Sequence, residues 1–529
     1  MAPRASWRCC FRPQVAEGDA VVRRITTPRK GGEVRDVEKD KCTEDSANAD
    51  LFARLQCRPI RTDADGMDDA DEDFASPASS YQTCFSEQDP MDLSGMSRIY
   101  RTSSAVSVAE APAAPASTSA PVGGAEWLQT DMGRPPVQPR RSRLPDPVQE
   151  LPGINLWSLI KDWIGKDIHK LALPTHINEP LTDLQRRAEA FENSELLDEA
   201  ARMPAQSLER LLQVTTFAIS MYNTIKRTQK PFKNLQNSTY ELVYPEKGIR
   251  CIGEKVRHVP MVHVMHTEGR GWGFDANDEF HMELWGNHAI IRPVGELYVK
   301  FHDGDEYCWS TVPTYINNIL IGKRSLDHRG SFYVNCLTSG DCMKCKIKEP
   351  LFGKGHHDVT GHYEQKGNKV EGVSISGKWD GDISVEFPDG SRRQLWKAPP
   401  PHEHPSTHPL SLWALHLNEL TPELKEKLPP TDDRLRPDMR LFEHGYYHEA
   451  NEEKLRLEEK QRQERNATEA AGKPWQARWF EQVPGGRRGF EKWQYRGGYW
   501  EARESGKWEG CRDIYGPGPK GQAPPEYPL

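Results

Sequence analysis

The 529-residue sequence has no run of eighteen apolar residues, so nothing in it reads as a membrane-spanning helix. The amino end, MAPRASWRCCFRPQ, lacks the apolar core of a secretory signal, and the protein is expected to be cytoplasmic. Positive charge is not in surplus either. The formal net charge of -8 argues against a general nucleic-acid binder, so no nucleic acid is expected among its partners. Eleven cysteines are scattered without a framework, which suits free thiols in a reducing compartment. Cys342 and Cys345 form one C-x-x-C, but no second pair follows at zinc-site spacing and Cys336 stands apart, so no metal site is expected. Hydrophobic residues make up only 36% and the mean hydropathy is -0.77, too low for the whole chain to be folded.

Enzyme signatures are missing as well. GVSISG (Gly372 to Gly377) fails the nucleophile elbow at its last glycine, GRGWGF lacks the third glycine and the strand-to-helix setting of a dinucleotide loop, and no Walker sequence occurs. His402, His404 and His408 sit in a proline-rich stretch, HEHPSTH, that cannot put two ligands on one helical face. The expectation is a non-enzyme with no cofactor.

Residues 1–150 are rich in Ala, Pro, Ser, Asp and Arg, and they bury too little surface to offset chain entropy, so this region is expected to be disordered. From Asn155 the pattern becomes ordered. Leu156, Leu159, Ile160, Trp163 and Ile164 recur at helical spacing opposite Lys161, Asp162, Lys166 and Asp167, a short amphipathic helix. Trp157 and Trp163 would also suit a membrane interface. Helical periodicity continues from Leu181 to about Thr228, with a break expected at Met203-Pro204. The period then changes to two. CIGEKVRHVPMVHVMH, FHMELWG, ELYVKFHDGDEYCWSTV, INNILIGK, GSFYVNC and VEGVSISGKW read as successive strands, which implies an antiparallel sandwich or barrel.

Two stretches carry charge in a pattern that chemistry could use. In CIGEKVRHVPMVHVMH, the groups Glu254, Lys255, Arg257 and His258 crowd against Pro260 on an extended segment, a set suited to a phosphate. In EANEEKLRLEEKQRQER, Lys454, Glu458 and Arg462 stand at i, i+4 and i+8 on one helical face, where Glu458 could orient two cations. The plain alternative is a solvent-facing helix held by its own ion pairs.

These stretches have company in register. GEKVRHVPM resembles E-Q-V-S-H-H-P-P, the fingerprint of the oxysterol-binding protein-related family. LPTHINEPLTDLQRRAE (Leu173 to Glu189), QKPFKNLQNSTYEL (Gln229 to Leu242), GKWDG (Gly377 to Gly381) and PPTDDRLRPDMRLFEHG (Pro429 to Gly445) resemble its other landmarks in the right order.

The resemblance implies an α+β fold, a large and mostly antiparallel β-barrel enclosing a lipid tunnel, with amino-terminal helices, a lid and a helical carboxy-terminal subdomain. On that basis residues 151–515 form the lipid-binding domain, with the lid at 154–171, and 516–529 are a tail. The family's headgroup contacts for phosphatidylinositol 4-phosphate carry over to Lys230, His258, Lys454, Glu458 and Arg462. The sequence departs from the pattern at several positions, among them Lys233 in place of an asparagine, Asn234 in place of a proline, and Val259 in place of the second histidine. Arg257, where the family has serine, and Lys233 each add a positive charge nearby and join the expected set.

The implied function is carriage of a sterol or phospholipid between membranes, with phosphatidylinositol 4-phosphate as the exchange partner the resemblance suggests, and with peripheral membrane contact through the lid. The alternatives are a lipid sensor or tether, and a signalling scaffold working through residues 1–150. Cys9 and Cys10 beside Arg8 and Arg12 suit acylation, and the acidic run before Phe74 and Ser76 is similar to peptides that dock on an endoplasmic-reticulum receptor, although its residue order differs.

Overall fold

The structure, a computed structural model, describes residues 125–136, 138–145, 175–224, 226–258, 260–285, 287–319, 322–350, 355–400, 402, 408–473, 475–484 and 491–517. The expected lid, with Leu156, Trp157, Leu159, Ile160, Trp163 and Ile164, lies outside the described residues. So do Cys9, Cys10, the acidic run before Phe74, Val259 and the tail from 518.

Two short strands, β1 (Asn178–Thr182) and β2 (Lys230–Phe232), pair parallel with each other. The period-two stretch forms one 14-stranded sheet. Its first half comprises β3 (Thr239–Tyr244), β4 (Ile249–Arg257), β5 (Val262–Glu268), β6 (Trp272–Trp285), β7 (His288–Phe301), β8 (Glu306–Trp309) and β9 (Thr314–Asn317). Its second half comprises β10 (Ser325–His328), β11 (Gly330–Cys336), β12 (Cys342–Ile347), β13 (Asp358–Gln365), β14 (Asn368–Lys378), β15 (Asp382–Glu386) and β16 (Arg392–Lys397). Strands β3 to β8 neighbour one another in chain order, β11 lies beside β8, and the order then runs on to β16; β9 pairs with the far half of β7 and with β10. Every ladder in the sheet that carries this order is antiparallel, and no ladder joins β3 to β16 among the described residues. The GKWDG motif marks a tight corner between β14 and β15: Gly377 has φ +151, and a Cβ there would lie 2.0 Å from the Asp382 carbonyl oxygen, so only glycine fits.

A helical layer covers one face of the sheet. It comprises α1 (Asp183–Ala188), α2 (Glu195–Arg202) and α3 (Leu208–Thr224), with the break at Met203-Pro204 where the sequence puts it. The TDLQ sequence starts α1 with a capping box: Thr182 Oγ1 accepts from Gln185 N at 3.2 Å, and Thr182 N donates to Gln185 Oε1 at 2.9 Å. α3 is buried on all sides from Arg210 to Thr224. Its hydroxyls tolerate burial because Thr215, Thr216, Ser220 and Thr224 each donate to a carbonyl one turn back, at 2.7 to 2.9 Å.

Arg227, just past α3, is buried between two carboxylates, donating to Glu179 at 2.7 and 3.1 Å and to Glu189 at 2.9 and 2.6 Å. It clips β1 to the segment that follows α1.

The carboxy-terminal part holds α4 (Leu412–Leu417), α5 (Pro437–Glu443), α6 (Tyr447–Ala470) and α7 (Tyr499–Ser505). It is not wholly helical. A small hairpin of β17 (Phe480–Val483) and β18 (Lys492–Tyr495) packs with Trp479, Tyr499 and Trp500 against Ile252, Val256, Val262 and Val264 on the sheet face away from α1.

The described residues between 125 and 145 fall inside the stretch expected to be disordered, yet they are packed. Trp127 and Met132 join the same cluster as Trp479 and Trp500, and Leu144 joins the main core. Arg141 donates to the Leu415 carbonyl at 2.6 Å and to Glu443 at 2.7 Å. Three isolated apolar anchors among Pro and Arg leave no periodicity, which is why composition alone misplaces this segment.

β4 organises both faces. Cys251, Gly253 and Lys255 face the helical layer, and a Cβ on Gly253 would sit 3.1 Å from Leu184 of α1. Ile252, Glu254 and Val256 face the carboxy-terminal cluster. The alternation then slips, because Lys255 pairs with His263 and Arg257 with Val262, leaving Val256 as a bulge. Removing the Arg227 guanidinium would strand two buried carboxylates, so Arg227→Ala should lower unfolding free energy by about 3–5 kcal/mol in urea titration; a loss under about 1 kcal/mol would show that the clip is dispensable.

Candidate functional site

The first turn of α1, the β2–β3 segment, the end of β4 and one face of α6 converge on a cluster of buried cationic side chains. Its deepest member is Lys255, fully buried, whose Nζ donates to the Asn234 carbonyl at 2.6 Å and to His258 Nδ1 at 3.1 Å. No carboxylate reaches Lys255 within ion-pair distance among the described residues. Burial, and then the charge of Lys233, pull its pKa from 10.5 down to about 7, against a smaller upward pull from Asp183. Lys230 is lowered to about 8, again first by burial, with Lys454 and Lys233 pushing the same way and Asp183 and Glu458 opposing. His258 falls to about 3 through burial and the charges of Lys255, Lys233 and Arg465. It is therefore neutral, and accepting at Nδ1 places its proton on Nε2.

Asn234 builds the floor. Its Oδ1 accepts from Leu184 N at 3.0 Å, and its amide nitrogen donates to Ser238 Oγ at 3.0 Å and to Asp433. Asp433 also accepts from Thr182 Oγ1 at 2.7 Å and Tyr515 Oη at 3.1 Å. Burial raises Asp433 to about 6, with the charge of Arg436 opposing. One side chain therefore ties α1, the turn before β3 at Ser238 and the DDRLRPD segment together beneath the lysines, while its own backbone carbonyl meets Lys255 of β4. A proline at this position would have neither the amide nor the carbonyl of that side chain.

From α6, Lys454 is buried and lies 3.5 Å from Glu458, whose charge also reaches Lys230. Arg462 points outward: its side chain is 59% exposed and pairs with Glu459. Arg465, outside the expected set, is near enough to act on His258. Its signal was available, since eleven residues from Lys454 is three helical turns. Arg257 leaves the cluster altogether. The Val256 bulge turns it to the opposite face of the sheet, where it pairs with Glu279 at 3.0 Å and Glu491 at 2.6 Å. Of the expected residues, Lys230, Lys233, His258, Lys454 and Glu458 come together, and Lys255, Asp183 and Arg465 are added. His263, beside Lys255 on β5, is buried with neither ring nitrogen hydrogen-bonded, and burial and the surrounding cations hold its pKa well below 6.5.

A large antiparallel sheet with a helical layer on one face and desolvated lysines clustered beside β4 defines the class, an α+β domain. A family model described as oxysterol-binding protein matches residues 155–504. Oxysterol-binding protein-related protein 1B of Arabidopsis thaliana is 41% identical over 384 residues, covering 71% of this chain and 77% of that protein. Protein 1C of the same plant is 43% identical over 71% of this chain but 47% of its own length, and human oxysterol-binding protein-related protein 3 is 35% identical over 71% and 42%. Among solved structures, the Osh1 ORD domain in complex with cholesterol aligns with a TM-score of 0.66 at 30% identity, over 72% of this chain and 95% of that one. The Osh3 ORD in complex with PI(4)P from Saccharomyces cerevisiae aligns at 0.62 and 28%, over 71% and 99%. The chain belongs to the oxysterol-binding protein family.

The depressed Lys255 pKa sets a sign for stability. The folded chain sheds this proton near pH 7 and the unfolded chain near 10.5, so the penalty of a buried ammonium is full below pH 7 and is relieved as pH rises toward 10.5. Between pH 7 and 9 the protein should gain about 2 kcal/mol of unfolding free energy relative to Lys255→Met. Urea titrations at both pH values check this, and parallel shifts in the two proteins would show that Lys255 is not desolvated.

Proposed function

We propose that this chain is a lipid carrier: a sterol or phospholipid is enclosed by the 14-stranded sheet, and phosphatidylinositol 4-phosphate is taken up in exchange, its phosphates held by Lys230, Lys233, Lys255, His258, Lys454 and Arg465. The observation that carries this reading is the desolvated cluster itself. Buried lysines with lowered pKa values gain most from a ligand that brings negative charge to them, because it restores what burial removed. Support comes from the solved relatives, one bound to cholesterol and another to PI(4)P.

The sheet is proposed to curl around the apolar part of the ligand. Residues of one short stretch touch both its ends: Leu184 lies against Gly253 of β4, and Asn193 accepts from Trp396 Nε1 of β16 at 3.1 Å. Flat strands could not bring β4 and β16 within ten residues of chain. Enclosing about 400 Å² of apolar lipid surface would contribute on the order of 10 kcal/mol. The lipid-binding domain is taken to span 151–515, extended backwards by the packed 125–145 segment, with 154–171 as a lid that opens on peripheral contact with a membrane. Among the described residues no helix is long and apolar enough to cross one.

The test is lipid extraction by the full chain from liposomes carrying a sterol or phosphatidylinositol 4-phosphate, alongside His258→Ala with Lys454→Ala. The wild type should extract both lipids, and the variant should lose phosphoinositide extraction about tenfold or more while keeping the sterol. Sterol extraction with no phosphoinositide extraction by the wild type would overturn exchange and leave a one-way carrier or sensor.

A further inference from the structure

A polar cavity of about 880 Å³ lies on the side of β4 away from the lysine cluster. Its walls come from Thr239 and Glu254 of the sheet, the end of α6 at Thr468, Gly472 and Lys473, the stretch Trp475 to Trp479, and Arg496 and Arg512. Four cationic side chains line it, Lys473, Arg478, Arg496 and Arg512, against the single carboxylate of Glu254. In a chain of net charge -8 this is a local excess of the opposite sign.

The one carboxylate is already engaged. Glu254 is buried and accepts from the backbone amides of Arg478 at 2.8 Å and Trp479 at 2.9 Å. Burial raises its pKa to about 7, against those hydrogen bonds, so its negative charge is partly lost at neutral pH. The cations are less engaged. Lys473, Arg496 and Arg512 are exposed and make no ion pair among the described residues; Arg478 lies over the Trp479 ring at 4.9 Å and donates to the Glu509 carbonyl. The negative end of α6 is blunted as well, since its last carbonyls accept from the amides of Ala471, Gly472 and Lys473 at 3.0 to 3.1 Å.

We propose that this cavity binds a compact polyphosphate anion, an inositol polyphosphate either free or as the headgroup of a membrane lipid. Three arginines suit phosphate because the guanidinium donates two parallel hydrogen bonds to adjacent oxygens. The four cations surround one concavity of small-ligand size, rather than lying along a groove as an extended acidic peptide would require. The site is separate from the Lys255 cluster: Glu254 and Lys255 are consecutive on β4 and face opposite ways.

The experiment is calorimetric titration of the full chain with inositol hexakisphosphate, compared with Arg496→Glu/Arg512→Glu and with Lys454→Ala. Both arginines are exposed, and circular dichroism confirms that the double variant is folded before titration. Binding is expected near 10 µM or tighter at low salt, weakened about a hundredfold by the arginine reversals and unchanged by Lys454→Ala. Sedimentation with vesicles containing a bisphosphorylated phosphoinositide separates the two sources. Vesicle binding lost in the arginine variant identifies a lipid headgroup, and soluble binding without vesicle binding identifies a free inositol phosphate. Absence of heat, loss of binding in Lys454→Ala rather than in the arginine variant, or equal affinity for a phosphate-free oligo-aspartate peptide would each overturn the proposal.

Discussion

Much of this domain follows from one constraint: Lys255 is an ammonium group placed in a dry position, with a backbone carbonyl and a neutral imidazole as its close partners. A buried charge is tolerated only if something else holds it in place. Here that support is Asn234, which is itself fixed by α1, by Ser238 and by Asp433. Asp433 is fixed in turn by Thr182 and Tyr515, from segments far apart in the chain. The cluster is therefore a consequence of long-range polar contacts closing around a few residues, and its floor is held by hydrogen bonds from several elements.

The DDRLRPD segment shows the same logic on the scaffold side. Arg436 is buried with Asp438 at 2.8 and 3.0 Å and donates to the Lys233 carbonyl at 2.7 Å, so a structural arginine sets the backbone at a lysine of the cationic cluster. Asp432, raised to about 7 by burial, accepts from Glu241 N at 3.2 Å and caps the turn at Arg434. These residues are charged and conspicuous in the sequence, yet their work is internal.

How much of this was legible in the sequence depends on the range of the interaction involved. Local periodicity carried the helix break at Met203-Pro204, the run of strands and the face of α6 that holds Lys454 and Glu458, because each is decided within a few turns or a few alternations. Arg257 and Arg462 share a different failure. Each satisfies the correct spacing, but Arg257 is turned away by a bulge and Arg462 by the drift of a 3.6-residue helix over eight positions. Lys255 was visible as a charge, whereas its depth was not, since burial depends on α1 arriving over Gly253 from seventy residues upstream. The packed 125–145 stretch was invisible for the same reason, its anchors being partners of residues hundreds of positions away.

The Val256 bulge has a meaning beyond aiming one arginine. A strand writes alternately to two faces, so its natural wavelength is two residues, and a single inserted residue is a shift of half a wavelength. Up to Lys255 the odd positions address the helical side and the even positions the carboxy-terminal side; from Arg257 onward the assignment is exchanged. β4 thereby acts as a partition whose two compartments receive separate messages from one short string of residues. Deleting Val256 would remove the extra residue without redirecting the message: Arg257 would follow Lys255 directly, still oppose Val262 and still meet Glu279 and Glu491, while the carboxy-terminal cluster would lose a buried valine.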